Sequence, residues 1–282
     1  MSVLTGDQIL FFQVNGYLVL PNFWSNETVL KLRLKMRTIV NGFDLSASRS
    51  IFSTSEQSRT TDDWFLTSGR EIRYFWEALA FEKDGTTLRE GLLLENSINK
   101  VGHGLHDLDE DFEFVSYERR VGAICRQLGI ECPLAVQSMY IFKQAIVGGE
   151  VNEHQDGAFL YTEPQTCLGF WWALDECRED NGCLYAVPGS HIQGVNRRFR
   201  RKDVLDPSKG TEFYPTEPVR FDLTGAVPLL VSAGSLVLLH SAIVHYSGPN
   251  LSTSPRHGYS VHVVDGREGI VYPMDNWLVS FY

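Results

Sequence analysis

The chain has 282 residues, of which 43% are hydrophobic and 12% aromatic, and its formal net charge at pH 7 is −10. This composition is that of a globular chain able to bury a large core, and it excludes an intrinsically disordered protein. The negative charge disfavours non-specific binding to nucleic acid or to an anionic membrane surface.

The cysteines predict a reducing compartment. Their number, five, is odd and no two have the C-x-x-C spacing, so we expect neither a disulfide framework nor a zinc knuckle. Gln13, Asn15 and Gly16 interrupt the apolar stretch near the N-terminus, which argues against a signal peptide and a membrane span. The C-terminal residues differ from the peroxisomal Ser-Lys-Leu signal. We therefore expect an intracellular, cytoplasmic protein.

Up to about residue 130 the chain has mainly helical patterns. Serine and threonine mark the helix starts, since their side chains cap helix N-termini. The predicted elements of this part are a short helix capped by Thr5, a strand at 17–20, a helix capped by Ser25, a loop at 46–63, and helices at 70–81 and 114–128.

From about residue 131 the pattern changes to short β-rich runs separated by turn residues. The predicted strands cover 135–144, 167–174, 182–187, 227–231, 235–239, 243–246 and 259–264. Short strands at this spacing are typical of a sandwich or barrel. No repeat or linker divides the chain, so we expect one domain, with a helical part over about 1–130 wrapped on a β core over about 131–282.

A candidate metal site begins at His154-Gln155-Asp156. In an extended segment His154 and Asp156 point to the same side, because strand side chains alternate. One imidazole and one carboxylate are two of the three ligands in the facial triad that binds iron(II) and leaves positions open. The third would be a histidine on a later strand, and both His240 and His245 qualify. Their odd separation places them on opposite faces of a regular strand, so spacing does not decide between them.

The remaining histidines offer alternatives. His103 and His106 have a spacing that suits a pair of metal ligands, and otherwise we expect them to be hydrogen-bonded pocket or loop residues. For His191, His257 and His262 we expect positions at the surface or in contact with a ligand side chain rather than with the metal.

Arg256 and the basic run Arg197 to Lys202 are candidate anion sites. Arg256 follows His245 closely, and a guanidinium on a neighbouring strand suits bidentate binding of a co-substrate carboxylate. The alternative for Arg256 is an ordinary surface position. The basic run Arg197 to Lys202 is expected to be a solvated loop face, with a site for a phosphorylated substrate as the alternative.

These motifs together resemble the phytanoyl-CoA dioxygenase family. The residues that carry the resemblance are Asn15-Gly16-Tyr17-Leu18-Val19, His154-Gln155-Asp156, Trp172, Asn181-Gly182-Cys183-Leu184, Val187-Pro188-Gly189-Ser190-His191, Val244-His245-Tyr246-Ser247, Asn250 and Arg256. They extend over nearly the whole chain, and their combination is specific although each part alone is not.

The resemblance implies a mainly β, α+β fold whose core is a double-stranded β-helix, that is, a cupin-like jelly roll. It implies an iron(II)- and 2-oxoglutarate-dependent dioxygenase that uses dioxygen, with ascorbate as an accessory reductant in vitro. Such an enzyme oxidises a C–H bond of a small molecule and converts 2-oxoglutarate to succinate and carbon dioxide.

The resemblance also implies roles for individual residues. His245, rather than His240, becomes the third metal ligand beside His154 and Asp156, and Arg256 binds the distal carboxylate of 2-oxoglutarate. The further residues expected at the 2-oxoglutarate site are Lys100, Met139 and Trp172. Core positions are the alternative for the methionine and the tryptophan, and a solvent position is the alternative for the lysine.

The sequence leaves two other functions open, besides a jelly-roll metalloenzyme that uses another metal and no 2-oxoglutarate. One is an acyl-CoA 2-hydroxylase of the phytanoyl-CoA type, in which the basic run would bind CoA phosphates, although no peroxisomal signal is seen. The other is a non-catalytic jelly-roll binding protein. We expect a monomer that acts on a small molecule and binds neither nucleic acid nor membrane.

Overall fold

The computed structural model describes residues 2–48, 50–52, 62–85 and 87–278. Within these ranges, six α-helices and fourteen strands form three layers. A large sheet lies in the middle, with helices on one face and a smaller sheet on the other. Each layer buries its apolar side against the next, which removes that surface from water.

The large sheet contains strands from both parts of the chain. These are β1 (Tyr17–Leu20), β2 (Ile51–Phe52), β3 (Ile72–Glu77), β4 (Ile98–His103), β5 (Pro133–Ile141), β7 (Leu168–Ala173), β12 (Leu236–His240) and β14 (Gly258–Asp265). Their order is β1-β12-β7-β14-β5-β4-β3-β2, and every neighbouring pair is antiparallel except β2 and β3. All six residues of β7 are buried, because both of its faces are covered.

The small sheet faces β7 and β12. Its strands are β6 (Val151–His154), β8 (Leu184–Ala186), β11 (Val227–Leu229) and β13 (His245–Ser247), in the order β11-β8-β13-β6. The buried side chains between the two sheets include Trp171, Val237 and Leu239 from the large sheet and Leu184, Ala186 and Leu229 from the small one. Two antiparallel sheets packed face to face form the jelly-roll core that the resemblance implied. A separate ribbon pairs β9 (Arg198–Arg201) with β10 (Thr211–Tyr214).

The helices cover the outer face of the large sheet. They are α1 (Gly6–Asn15), α2 (Asn26–Asn41), α3 (Asp63–Leu66), α4 (Leu105–Leu108), α5 (Glu110–Ser116) and α6 (Arg119–Gln127). Trp24, just before α2, stacks on Trp172 of β7 with ring centroids 4.4 Å apart, and Phe112 of α5 packs against Tyr259 of β14. None of the helices in the described ranges is long and apolar enough to span a membrane.

Several predicted elements match the structure. Thr5 caps α1 through a capping box with Gln8, and Ser25 caps α2. The strand predicted at 17–20 is β1, and the predicted C-terminal strands correspond to β5, β7, β8, β11, β12, β13 and β14 within a few residues.

Other predictions of the N-terminal part were wrong. The helix predicted at 70–81 is strand β3, which is rich in aromatic residues and buried on both faces, so its apolar positions do not show an alternating pattern. The helix predicted at 114–128 is two helices, α5 and α6, separated at Tyr117-Glu118. The part before residue 131 contains all six α-helices, as expected, and it also contributes four strands to the large sheet, which the sequence did not predict beyond β1. Most of the loop predicted at 46–63 lies outside the described residues.

Candidate metal centre and co-substrate pocket

Two strand ends and a tight turn bring three candidate ligands together. His154 ends β6, His245 begins β13, and the two are direct partners across the antiparallel pair. Asp156 follows in a 3-10 turn, and its Oδ1 lies 3.7 Å from Nε2 of His154 and 3.6 Å from Nε2 of His245. All three ligand atoms lie within 4.8 Å of one another. One cation could therefore contact all three side chains.

The other ring nitrogen of each histidine faces a backbone carbonyl. Nδ1 of His154 lies 2.8 Å from the Asn152 oxygen, and Nδ1 of His245 lies 3.1 Å from the Ile243 oxygen. A carbonyl oxygen only accepts hydrogen bonds, so each Nδ1 carries the proton and each Nε2 keeps its lone pair. Both lone pairs are thus available to a metal beside Asp156.

Asp156 is almost fully buried among three imidazoles. Burial alone would raise the pKa of its carboxyl group, but His262, His245 and His154 outweigh that effect and hold the pKa well below its ordinary value. Its second oxygen, Oδ2, lies 3.1 Å from Nε2 of His262 on β14. The site therefore keeps an anionic carboxylate beside the Nε2 atoms of two imidazoles, a donor set that fits iron(II).

The structure distinguishes His240 from His245, the two candidates for the third metal ligand. His240 lies at the end of β12 in the large sheet, where its ring packs against His191 with a centroid distance of 4.9 Å. His245 lies on the small sheet and belongs to the cluster with His154 and Asp156.

Three other histidines, His103, His106 and His191, are held by hydrogen bonds to groups other than the three ligands. Nδ1 of His103 lies 2.7 Å from Ser68 Oγ, and Nδ1 of His106 lies 2.9 Å from Ser138 Oγ. His191 is buried rather than at the surface, with its Nε2 3.0 Å from the carbonyl oxygen of Gln13.

His262 is the histidine whose importance the sequence analysis did not single out. It is buried in contact with Asp156, which agrees with the second of its two expected positions, contact with a ligand side chain. A signal was present in the sequence, because Ser260 and His262 are polar residues at every second position of an otherwise apolar run. Such alternation predicts one polar face on the strand.

Arg256 lies in the same cavity as the three candidate ligands. The cavity has a volume of about 520 Å³. Arg256 is 1% exposed, and its Nη2 donates a hydrogen bond of 2.6 Å to the carbonyl oxygen of Gly182. Its Nε and Nη1 have no hydrogen-bond partner in the described ranges. Burial lowers the pKa of this guanidinium below its ordinary value. A buried cation with two unpartnered N–H groups fits a carboxylate of 2-oxoglutarate.

Lys143 is a second buried cation in the cavity, and the sequence analysis missed it. Its Nζ lies 2.7 Å from the carbonyl oxygen of Gly149 and 2.8 Å from Ser247 Oγ. Burial, followed by repulsion from Arg256, lowers its pKa to about 7. The available signal was a lysine at the end of the longest predicted strand, where a charged residue needs a specific partner.

The three residues expected at the 2-oxoglutarate site have different positions. Lys100 and Met139 both line the cavity, and Lys100 is buried rather than in solvent, with its Nζ 3.6 Å from Met139 Sδ. Trp172 points to the opposite face of β7, where it stacks on Trp24. Its neighbour Trp171 lines the cavity instead, with its ring 5.3 Å from the Arg256 guanidinium carbon. The prediction for Trp172 was wrong by one residue, which reverses the face of a strand.

The basic run Arg197 to Lys202 is not the solvated loop that we expected. Its centre forms β9, where Arg198 pairs with Asp275 and Arg200 pairs with Glu212. Arg201 is buried and donates hydrogen bonds to the carbonyl oxygens of Leu66 and Trp277. Three of the four guanidinium groups thus have internal partners, whereas Arg197 lines the cavity with its guanidinium over the ring of Phe213.

Comparison with known proteins gives the relatives of the chain. The family model described as Phytanoyl-CoA dioxygenase (PhyH) matches residues 12–258. A "Phytanoyl-CoA dioxygenase" of Arabidopsis thaliana is 43% identical over 275 residues, which cover 98% of this chain and 93% of the relative. The "Phytanoyl-CoA dioxygenase domain-containing protein 1" of Bos taurus is 42% identical over 284 residues, which cover 99% and 96%.

Solved structures resemble the fold at low sequence identity. The apoform of EctD from S. alaskensis superposes with a TM-score of 0.67 at 16% identity, covering 99% of this chain and 84% of EctD. The non-heme alpha ketoglutarate dependent carbocyclase SnoK, from nogalamycin biosynthesis, superposes with a TM-score of 0.63 at 19% identity, covering 97% and 88%. At these identities the likeness concerns the fold.

Proposed function

The chain belongs to the phytanoyl-CoA dioxygenase family, and we propose that it is an iron(II)- and 2-oxoglutarate-dependent dioxygenase acting on a small molecule. One observation supports this most. A His154–Asp156–His245 cluster and a buried guanidinium with unpartnered N–H groups share one cavity. Bound iron(II) would supply the oxidation of a substrate C–H bond by dioxygen, with decarboxylation of 2-oxoglutarate to succinate and carbon dioxide.

The residues of the chain hold and position the reactants. His154 and His245 offer Nε2 lone pairs fixed by their Nδ1–H contacts, and Asp156 offers an anionic oxygen between them. Arg256 binds the distal carboxylate of 2-oxoglutarate through Nε and Nη1. The indole N–H of Trp171 is buried and has no hydrogen-bond partner in the described part of the chain, and its ring lies beside Arg256, so we include it in this carboxylate site.

Aromatic side chains limit the entry of water around the ligands. The ring of Phe159 lies 6.1 Å from that of His154, and Phe159 packs in turn against Phe213. Both line the cavity, as do Phe65 and Trp277, which stack on each other 4.4 Å apart. Such a wall strengthens electrostatic contacts inside the cavity because it lowers the local dielectric constant.

A matched pair of histidine variants tests the proposal. Succinate is measured after incubation of the protein with iron(II), 2-oxoglutarate and air, with and without candidate substrates. His245→Ala should abolish succinate release, whereas His240→Ala should retain it, because His240 lies on the other sheet. Equal succinate release by the wild type and His245→Ala would overturn the proposal.

The substrate can be identified as the compound that stimulates succinate release by the wild type. The name of the Arabidopsis relative makes a branched acyl-CoA thioester the first compound to compare with its free acid. In β9, Arg198 pairs with Asp275 and Arg200 pairs with Glu212, so these two guanidinium groups are not free to bind a CoA phosphate. We therefore propose a small substrate without a nucleotide, for which the free acid is at least as good as the thioester.

A further inference from the structure

The carboxylate ligand has a second support that the three ligands do not explain. Oδ1 of Asp156 faces the Nε2 atoms of His154 and His245, while Oδ2 faces away from them and lies 3.1 Å from Nε2 of His262. Within the described ranges, no other hydrogen-bond donor reaches that oxygen. The imidazole of His262 is therefore the polar group that contacts Oδ2 in the described part of the chain.

The backbone beside His262 is shaped to receive the same oxygen. His262 on β14 is the direct cross-strand partner of Gly169 on β7, so side chains at these positions would lie next to each other. A Cβ placed on Gly169 would lie only 3.0 Å from Asp156 Oδ2 and 3.3 Å from Leu239 Cβ. The missing side chain thus leaves the space that the carboxylate occupies.

We propose that His262 is a positioning residue of the metal centre, which together with Gly169 holds Oδ2 of Asp156 so that Oδ1 alone is presented to the metal. This inference rests on the proposed function. A carboxylate that turns freely could place both oxygens on the ion and use a position that the co-substrate needs. Groups that orient a ligand in this way commonly change metal affinity by about 10- to 100-fold.

The position of His262 also argues against a role as a fourth metal ligand. It lies on the large sheet, whereas His154 and His245 lie on the small one, and the atoms that converge on one point are those of His154, Asp156 and His245. His262 reaches the centre through Asp156. Its loss should weaken metal binding without removing it.

Metal binding is measured directly with Mn²⁺ as the probe, by electron paramagnetic resonance of the free ion, at one pH and on folded full-length protein. His262→Ala should raise the Kd for Mn²⁺ about 10- to 100-fold, and His262→Gln should recover part of the loss because its amide N–H can reach Oδ2. Gly169→Ala, which leaves His262 in place, should raise the Kd as well. The matched control is His106→Gln, a buried histidine bonded to Ser138, whose Kd should equal that of the wild type.

Each outcome decides between the proposals. If the wild type binds Mn²⁺ and both His262→Ala and Gly169→Ala bind it within twofold of the wild type, the role of His262 is overturned and the proposed function stands. A His262→Ala variant that is folded but binds no Mn²⁺, as expected for Asp156→Ala, would make His262 a ligand and also overturn the inference. A wild type that binds no Mn²⁺, Co²⁺ or Fe²⁺ would overturn the proposed function together with it.

Discussion

At the scale of single residues, Arg256 has an unusual balance of contacts. It is buried and charged, yet only one of its three nitrogens has a hydrogen-bond partner in the described part of the chain. Burying an unpaired charge costs several kcal/mol, so folding alone gives no reason to place a guanidinium there. Binding of an anion would reduce that cost, which is why this residue points to the co-substrate more strongly than any other cation of the cavity.

The variant Arg256→Ala should therefore affect 2-oxoglutarate far more than iron. We expect its KM for 2-oxoglutarate to rise about 10- to 100-fold, because a hydrogen bond to a charged group contributes roughly 1.5–3 kcal/mol. The iron(II) concentration for half-maximal succinate release should stay within about twofold. Arg178→Ala, at an exposed arginine, serves as the control. An unchanged KM for 2-oxoglutarate would exclude Arg256 from the site.

The buried amine of Lys143 should make the unfolding free energy depend on pH. Its pKa is about 7 in the folded chain against an ordinary value of 10.5, so between these values the unfolded chain binds one more proton. Stability contributed by this group therefore rises with pH through that window. From pH 7 to pH 9, wild type should gain on the order of 2 kcal/mol in unfolding free energy relative to Lys143→Met. Urea unfolding measures this gap.

A lysine at the surface provides the control for the pH effect. Lys83 is exposed, so the gap between the wild type and Lys83→Met should be the same at pH 7 and pH 9. If the gap for Lys143→Met is equally constant, the buried amine has an ordinary pKa in the folded chain.

At the scale of elements, strand β7 lies between two environments. Trp172 packs into the core beneath the helices, and Trp171 faces the cavity beside Arg256. Because side chains alternate along a strand, adjacent tryptophans face opposite sides, and we propose that Trp172 contributes to stability and Trp171 to binding.

Phenylalanine substitutions at the two positions should separate those tasks. Trp172→Phe should lower the unfolding free energy by about 1–3 kcal/mol, since it leaves a cavity in a well-packed core, and should change the KM for 2-oxoglutarate little. Trp171→Phe removes the unpartnered indole N–H and should raise that KM several-fold with a smaller loss of stability. Denaturant unfolding and succinate kinetics on both variants provide the test, and the reverse pattern would show that the two faces of β7 are misassigned.

Some elements could be predicted from local sequence patterns, and others could not. Helix caps at Thr5 and Ser25 and the alternating C-terminal runs were predictable, because caps and periodicity are local. Strand β3 was not, since burial on both faces removes its alternation. The choice between His240 and His245 needed the strand pairing, which depends on contacts between residues far apart in sequence. The contact of His262 with Asp156 needed it for the same reason.

At the scale of the whole molecule, the N-terminal and C-terminal parts share one sheet. Strand β1 pairs with β12, and β4 pairs with β5, so strands from before residue 131 flank the core on both sides. We propose that the chain acts as one domain for this reason. Lys100, on β4, then reaches the cavity whose metal ligands come from the small sheet, and the cavity is complete only when both parts are folded.

The most direct test of the metal-dependent oxygenase is succinate release by wild type and Asp156→Ala under identical conditions. Asp156 is the anionic member of the cluster, and without it two neutral imidazoles remain to hold the ion. We predict iron(II)-dependent conversion of 2-oxoglutarate to succinate by the wild type and none above background by the variant, with circular dichroism showing both to be folded. Succinate release by Asp156→Ala at the rate of the wild type would contradict the account.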